Sequence, residues 1–338
     1  MTSSLLRVAY PRRSPHFLAC RRAVRPLAQA HPEVVVGLSG GADSLALTAA
    51  LLAEHSQVFA VIVDHQLQPG SAEVARQAAR TARQLGAEAT VVAVDIPRTA
   101  EGMEAAARKV RYQVLWEHAR ARGVPLAVAH TMEDQAETLL LSALRGRATG
   151  MAAKPFAAAD DACCLHRPLL GVRRADTVGA CLELGISYWQ DPHNGNPAFR
   201  RVRLRQDTIP HLGEVVGGDA VEPLARAASL AAADDALLNQ LAGAPTDDCA
   251  TLAAQPEPLR RRRLVAWLRQ QGLAVTAPVL DGVDRLVVDY HGQGGVAAGG
   301  VVDAAGRRRL EVRRIGGRLT VIRQDQYMLD QNSREGLR

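Results

Sequence analysis

The amino-acid sequence predicts an α/β protein with a doubly wound, mainly parallel sheet, followed by a smaller, mostly helical C-terminal region with a short β-hairpin. Three observations support this fold class. From Val34 onward, strand-like apolar runs alternate with amphipathic helical stretches. The junctions between them are short and polar, as in β–α–β units. The apolar runs are continuous, which is typical of strands that helices cover on both faces.

The elements follow in a regular order along the chain. Strands are predicted at residues 34–38, 58–63, 90–94 and 126–129, with a short one near 164–167. Helices are predicted at residues 44–54, 71–85, 101–121 and 133–144, and near 174–184. Beyond them, the pattern predicts helices at 225–241 and 259–271 and two strands within 307–323, around Gly316 and Gly317. A loop is predicted at 147–161.

Shifts in pattern and composition predict the domain boundaries. Residues 1–30 are expected to form an N-terminal extension with a helix, and residues 31–215 a nucleotide-binding domain. A C-terminal domain is expected at 216–328 and a frayed tail at 329–338. Gly217 and Gly218 mark the linker between the two domains.

The charge balance points to an anionic partner, but two interpretations remain open. The chain of 338 residues has 41 Lys and Arg against 35 Asp and Glu, a formal charge of +6, and only Lys109 and Lys154 are lysines. Such an excess of arginine suits a nucleic acid. A compositional bias toward arginine and alanine would give the same numbers, so charge alone does not separate the two.

Cysteine usage and hydropathy exclude several classes of protein. The five cysteines form no CxxC pair, which argues against a disulfide framework and against a zinc or iron–sulfur site. No apolar run approaches the length of about 20 residues that a membrane span needs. Arginines interrupt the apolar residues near Met1, unlike in a signal peptide. We therefore expect a cytoplasmic protein with no membrane partner.

A glycine- and serine-rich loop directly follows the first predicted strand. It consists of Ser39, Gly40, Gly41, Ala42, Asp43 and Ser44. The glycines let backbone N–H groups approach an anion, and the helix after the loop adds its positive end. A carboxylate beside phosphates requires a cation between them, which predicts Mg²⁺ at Asp43. Because the loop lacks the lysine of a Walker motif and no GxGxxG occurs, it predicts an ATP pyrophosphatase of the PP-loop class.

Further polar residues stand where other predicted strands end. Asp64 and His65 close the strand at 58–63, and His130 closes the strand at 126–129. Ligands of open α/β sheets bind at the carboxyl ends of the strands, so these groups should meet at one crevice. Asp134 and Glu137 follow three residues apart on one helical face, where a carboxylate pair could hold an ammonium group or move its proton. For Glu133 we favour a simpler interpretation, complementing the helix dipole.

Several arginines are candidates for binding phosphate or carboxylate groups. Glu104, Arg108, Arg111 and Tyr112 share one face of the helix predicted at 101–121. Further arginines cluster at 200–205, 260–263 and 307–318. One such cluster is usually a solvated face, but clusters in both halves of the chain suit a long phosphate backbone better than a small metabolite.

Taken in order, these motifs resemble those of the tRNA(Ile)-lysidine synthetase family, over roughly residues 25–215. The resemblance rests on the loop at 39–44, Val63-Asp64-His65, Glu104-x3-Arg108-x2-Arg111-Tyr112, the run from Ala129 to Thr138, Arg145-Gly146, Arg167-Pro168-Leu169, and Asp191-Pro192-x-Asn194 through Arg205. It implies an adenine nucleotide α-hydrolase-like fold. It also implies that ATP adenylates C2 of the wobble cytidine in an isoleucine tRNA with a CAU anticodon, and that the ε-amino group of L-lysine then displaces AMP.

The resemblance also implies roles for individual residues. ATP would be bound by residues 39–44 and Asp64, with Mg²⁺ on Asp43. Catalysis would fall to Asp43, His130, Asp134 and Glu137, and the lysine would be held by Asp134, Glu137 and Arg108. Contacts with the tRNA would come from Arg111, Arg145, Arg201, Arg203, Arg205 and Arg261. The resemblance leaves a homodimer open.

The sequence departs from the family pattern in three places. Glu133 stands where the family commonly has Asp, His193 and Asn194 lie in an altered Asp-Pro-Ser-Asn segment, and the region after Gly217 is short. Two other classes remain as alternatives. A PP-loop tRNA thiolase would normally need CxxC cysteines, and a non-catalytic nucleotide sensor would need no second set of acids.

Overall fold

The computed structural model describes residues 11–323, except 12, 69, 98–101, 154–163, 192–194, 300–301, 304–305 and 308–309. Most of the loop predicted at 147–161 and the altered residues His193 and Asn194 lie outside the described residues. The chain folds as two compact units, Met1–Ala233 and Asp234–Arg338. The functional domain boundaries suggested by the sequence stay a prediction. Within the described part of the chain, no helix is both long and apolar enough to cross a membrane.

The first unit is built on a parallel sheet, as predicted. Its described strands are β1 (Glu33–Gly37), β2 (Gln57–Asp64), β3 (Glu88–Ala93), β4 (Leu126–Ala127) and β5 (Leu165–His166). Their order is β3-β2-β1-β4-β5, and all four pairings are parallel. The order reverses at β1, which places the central crevice at the carboxyl ends of β1 and its neighbours. The fold class predicted from the sequence is therefore confirmed.

Helices cover both faces of this sheet. The helices up to residue 242 are α1 (Pro15–Ala30), α2 (Ala42–Ala53), α3 (Ser71–Leu85), α4 (Met103–Arg122), α5 (Met132–Ala143), α6 (Arg174–Glu183), α7 (Arg200–Arg203), α8 (Ile209–Val216) and α9 (Val221–Ala242). Of these, α1, α2, α3 and α6 cover one face of the sheet and α4 covers the other. Val34 and Val36 face a core shared by α1, α2, α3 and α6. Val35 faces the opposite core, with α4. All three valines are fully buried, and each such side chain stabilises the fold by about 1.5–3 kcal/mol.

Gly217 stands at the end of a helix. Gly217 adopts φ +69° and ends α8, a position that favours glycine because a Cβ is strained there. The two compact units divide between Ala233 and Asp234, inside α9, and not at this glycine pair. The sequence pattern predicted no helices at the positions of α7 and α8.

The second unit combines helices with a small antiparallel sheet. Its elements are α10 (Cys249–Ala253), α11 (Glu257–Gln270), α12 (Ala277–Val288), β6 (Val296–Ala297), β7 (Val302–Asp303), β8 (Gly306–Arg307), β9 (Leu310–Ile315) and β10 (Arg318–Arg323). Strands β9 and β10 form the predicted hairpin. Leu264, Leu268 and Leu286 lie in the hydrophobic core of the second unit. Helix α12 was not predicted; it has a proline in its first turn, a position where proline is well tolerated.

Candidate active site

The loop after β1 is shaped to hold an anion. Gly40 has φ +83°, and a Cβ at this position would lie 3.0 Å from the Ala78 Cβ. The Ser44 hydroxyl donates to the Gly41 carbonyl at 3.0 Å and accepts the Ser39 N–H at 3.2 Å. Because Gly41 is the residue before α2, the positive end of that helix lies at the loop. This arrangement suits a phosphate group.

The loop opens onto a cleft of about 820 Å³ at the carboxyl ends of β1, β2 and β4. Pockets for small ligands occupy roughly 300–1,000 Å³. The cleft brings together most of the residues that the sequence singled out. Those that line it are Ser39, Asp43, Ser44, Asp64, Arg108, Arg111, His130, Asp134 and Arg201.

Five further candidates, outside the loop of residues 39–44, do not line the cleft. Glu137 is fully buried behind it, and Arg205 lines a neighbouring cavity of about 280 Å³. Arg145 and Arg203 are exposed. Arg261 belongs to the second unit, where it forms an ion pair with Asp281. The structure therefore gathers the adenylation and amine candidates, but not all of the proposed tRNA contacts.

Arg174 links three acidic side chains at the cleft and was not among the sequence candidates. Its guanidinium lies 2.8 Å from Asp134, 3.4 Å from Asp43 and 3.9 Å from Glu137. Arg174 is the first residue of α6. A cation in the first turn of a helix is disfavoured by the helix dipole, so an arginine there indicates acidic partners elsewhere in the fold. That is the signal that could have identified it.

Asp43 lies at the start of α2 and faces both the loop and Arg174. The Thr177 hydroxyl donates a hydrogen bond to one of its oxygens, and Arg174 approaches the other. Burial raises the pKa of Asp43, against the opposing effects of Arg174 and Thr177. A carboxylate whose charge is incompletely balanced in this way has the chemistry to accept a further cation.

Asp134 has a structural and an electrostatic function at once. One oxygen accepts the Thr131 N–H at 2.8 Å and closes a capping box at the start of α5. The other oxygen accepts Arg174 Nη2 at 2.8 Å. Burial alone would raise the pKa of Asp134, but Arg174 and the Thr131 N–H outweigh it, so the pKa is lowered. Asp134 therefore stays charged.

Glu137 is paired with two arginines that the sequence assigned to tRNA. Arg205 Nη2 lies 2.7 Å from Glu137 Oε1, and Arg205 Nε donates to the same oxygen at 2.8 Å. Arg201 reaches the second oxygen, Oε2, only at 3.5 Å. Burial raises the pKa of Glu137, against the opposing charge of Arg205. Both arginines thus have a carboxylate partner within the protein.

Glu133 fixes the helix that carries Arg174. Its two oxygens accept Arg173 Nε and the Arg174 backbone N–H, each at 2.8 Å. It therefore complements the dipole of α6, and the interpretation that it serves only its own helix was incomplete. The family commonly has the shorter aspartate at this position, whereas the glutamate of this chain reaches α6.

Asp64 closes the strand before the cleft. Its carboxylate accepts the Gln66 N–H at 3.0 Å, which turns the chain where Gln66 has φ +53°. Asp64 is buried, and it lines the cleft together with His65. The side chain therefore shapes the turn at the cleft wall.

His130 is a neutral imidazole in this site. Burial lowers its pKa to about 3, and its Nδ1 is buried with no hydrogen-bond partner among the described residues. At neutral pH such a ring is a very weak base, so it can accept or donate a hydrogen bond to a ligand but cannot take up a proton.

The buried His130 should make stability depend on pH. Its pKa is about 3 in the folded protein and near 6.5 when unfolded, so below pH 6.5 the unfolded state binds the extra proton. The stability that the neutral His130 side chain contributes is fully present above pH 6.5, and it is lost progressively as the pH falls toward 3. We expect the urea midpoint to fall less between about pH 7.5 and about pH 5 in His130→Gln than in wild type. An equal fall in both would contradict this assignment, and His211→Gln, at an exposed site, is the control.

Comparisons with known proteins match the chain to two family models and to relatives of one enzyme family. Residues 17–212 match the family model described as PP-loop domain, and residues 248–320 match the model described as TilS substrate binding domain. Among solved structures, the U34-tRNA thiolase NcsA from Methanococcus maripaludis is similar at a TM-score of 0.50 and 19% identity, covering 62% of this chain and 76% of that one. That likeness concerns the fold alone. The fold and the loop together define a PP-loop ATP-binding protein.

Similarity over nearly the whole chain defines the family more narrowly. The tRNA(Ile)-lysidine synthase of Corynebacterium glutamicum is 47% identical over 330 residues, which cover 95% of this chain and 99% of that protein. That of Corynebacterium diphtheriae is 50% identical over 312 residues, covering 92% and 98%. The chain belongs to the tRNA(Ile)-lysidine synthase family.

Proposed function

We propose that the protein ligates L-lysine to C2 of the wobble cytidine of an isoleucine tRNA with a CAU anticodon, while ATP is cleaved to AMP and pyrophosphate. The observation that carries this proposal is the cleft itself. A phosphate-binding loop and buried carboxylates meet there, linked by Arg174. Adenylation turns a poor oxygen leaving group into a good one, and an amine can then displace it. The names of the relatives support the choice of substrate.

ATP would bind with its phosphates at the loop of residues 39–44. The backbone of Gly40 and Gly41, the Ser39 and Ser44 hydroxyls and the N-terminus of α2 would stabilise the negative charge. Asp43 would hold Mg²⁺ together with phosphate oxygens, because Mg²⁺ prefers one or two carboxylates plus phosphates. Mg²⁺ would neutralise charge on the leaving pyrophosphate. The raised pKa of Asp43 supports this assignment, since a nearby cation would favour its ionised form.

The lysine ammonium group would bind at the inner carboxylates. Asp134 is already committed to Thr131 and Arg174. Among the described residues, Glu137 Oε2 has only the long contact with Arg201, whose side chain is 42% exposed and lines the cleft. We therefore assign the ammonium group primarily to Glu137 Oε2, with Arg201 moving toward the tRNA. Asp134 would contribute through its charge.

The amine must lose a proton before it attacks C2. His130 is too weak a base at neutral pH, because burial lowers its pKa to about 3. Glu137 is the better candidate, because burial raises its pKa and so makes its carboxylate a stronger base. We propose that Glu137 holds the ammonium group and then accepts its proton, while His130 provides a neutral hydrogen-bonding partner.

Incubation of the protein with ATP, Mg²⁺, labelled lysine and a CAU-anticodon isoleucine tRNA transcript tests the proposal. We expect label in the RNA, with AMP and pyrophosphate formed in equal amounts. The matched control is the same transcript with guanosine in place of the wobble cytidine, which should accept no label. Cleavage of ATP without incorporation of lysine would point to a different amine or acceptor, and would reject the proposal. The described cysteines are all buried, which does not favour the alternative of a thiolase.

A further inference from the structure

Three guanidinium groups gather around Tyr112 on the cleft wall. The Arg108 Cζ lies 5.0 Å from the centre of the tyrosine ring, and the Arg111 Cζ lies 5.9 Å from it. Arg167, which follows β5, is close enough to the same tyrosine for the two to interact electrostatically. Arg108, Arg111 and Tyr112 line the cleft. The ring face partly stabilises the cations but does not cancel their charge.

Among the described residues, these three arginines lack the acidic partners that the nearby Arg174 and Arg205 have. Among the described residues, no Asp or Glu oxygen lies within the 4.0 Å ion-pair distance of Arg108, Arg111 or Arg167. Arg174 and Arg205, in contrast, are both paired with carboxylates. The exposed Glu104 lies one turn from Arg108 on α4 but does not pair with it. The cluster around Tyr112 therefore has three positive charges with no counter-charge among the described residues, and two of its arginines, Arg108 and Arg111, line the cleft.

The cluster also leaves buried donors unused. Arg167 Nε is buried and has no hydrogen-bond partner in the part of the chain that the structure describes, and the same holds for His130 Nδ1. Burial lowers the pKa of Arg111 and of Arg167, and the charge of Arg108 lowers both further. Holding like charges together in a half-buried site is unfavourable unless an anion joins them.

Two arginines of the cluster, Arg108 and Arg111, and the loop of residues 39–44 adjoin helices on opposite faces of the sheet. Helix α2, at whose N-terminus the loop lies, packs on one face of the sheet, and α4 packs on the opposite face. The phosphates of ATP at the loop would therefore be held by different groups. The α-carboxylate of lysine carries a single negative charge, whereas a polynucleotide brings successive phosphates that can match several arginines.

We propose that Arg108, Arg111 and Arg167 form one phosphate-binding site, which holds the RNA backbone beside the nucleotide that enters the cleft. This joins Arg167 to the site and moves Arg108 from the lysine to the RNA. The proposal depends on the proposed function only for the identity of the RNA. Bidentate contacts between guanidinium groups and phosphates would fix the register of the strand, while the cleft selects the base.

Fluorescence anisotropy with a labelled CAU anticodon stem-loop, without ATP or lysine, tests this site. We expect Arg111→Gln and Arg167→Gln each to weaken binding roughly tenfold, as for the loss of a charge-assisted hydrogen bond. Each should also reduce the slope of log affinity against log salt by about 0.7, the value for one single-stranded phosphate contact. Arg108→Gln, at an exposed position, should act in the same direction with no effect on folding. Arg120→Gln, on α4 beside Trp116, is the matched control and should change neither quantity.

The possible sources of the anion give different results. Unchanged RNA affinity together with a raised KM for lysine would overturn the proposal in favour of a carboxylate site, and a raised KM for ATP alone would assign the arginines to the nucleotide. No change in any of these would also overturn it. The same arginine variants should weaken binding of a second stem-loop, with an unrelated loop sequence, by a similar factor. RNA binding is measured without ATP or lysine. Its result is therefore independent of whether the protein incorporates lysine.

Discussion

Glu137→Gln should abolish most lysine transfer while leaving adenylation largely intact. The amide removes the negative charge that we assign to the ammonium group, and it cannot accept a proton. General-base catalysis contributes about 10²–10⁴-fold to the rate, so we expect lysine incorporation to fall by roughly 10³-fold. Pyrophosphate release in the presence of tRNA should fall by less than about tenfold, because Glu137 lies outside the phosphate-binding loop. Rapid-quench assays with labelled lysine and labelled ATP measure the two steps separately.

Glu117→Gln is the matched control for this prediction, because Glu117 is exposed on α4 and, among the described residues, accepts a side-chain hydrogen bond only from Gln113. It should leave both steps unchanged. Equal loss of pyrophosphate release and lysine incorporation in Glu137→Gln would contradict the separation of functions. Because Glu137 is fully buried against Arg205, thermal unfolding of Glu137→Gln should be measured to show that the variant is still folded.

Arg174→Gln should damage both steps of the reaction and the fold around them. Arg174 provides positive charge to Asp43, Asp134 and Glu137, so its loss removes the nearest counter-charge of Asp43 and Asp134. Breaking a buried ion pair by removing one partner costs about 3–5 kcal/mol. We expect the free energy of unfolding to fall by about 3 kcal/mol and both pyrophosphate release and lysine incorporation to fall at least about 100-fold.

Arg173→Gln provides the comparison, because Arg173 is the neighbouring residue and its ion pairs with Glu133 and Asp219 are more exposed. Exposed ion pairs contribute about 0–1 kcal/mol, so this variant should be far less affected in urea unfolding and in both assays. If Arg174→Gln were no worse than Arg173→Gln, Arg174 would have no organising function in the site.

Local features of the site could be predicted from the sequence because they depend on neighbours along the chain. The loop at residues 39–44 follows from glycine and serine chemistry between a strand and a helix. Asp134 and Glu137 share a helical face because they stand three residues apart. The helix predicted at 71–85 has the observed bounds, since its apolar spacing is regular and a glycine flanks each end.

The pairings of side chains could not be predicted in the same way. Arg174 and Asp134 are 40 residues apart in sequence, and no periodic pattern connects them. The arginines at 200–205 were read as one charged face, yet Arg203 is exposed while Arg201 and Arg205 contact Glu137. Their spacing of four residues is the helical signal that separates them from Arg203. The arginine clusters in both halves of the chain therefore favoured a phosphate backbone as partner, but the sequence did not indicate which arginines are already paired.

In the proposed reaction, one cleft adenylates the oxygen on C2 of the wobble cytidine and then transfers lysine to C2 itself, as that oxygen leaves with AMP. The most direct test is a single-turnover reaction with ATP labelled at the α-phosphate, run with the tRNA transcript but without lysine. We predict that the label becomes attached to the RNA and is released as AMP when lysine is added. Release of labelled AMP with no RNA-bound stage, or attachment of the label to the protein, would contradict the account.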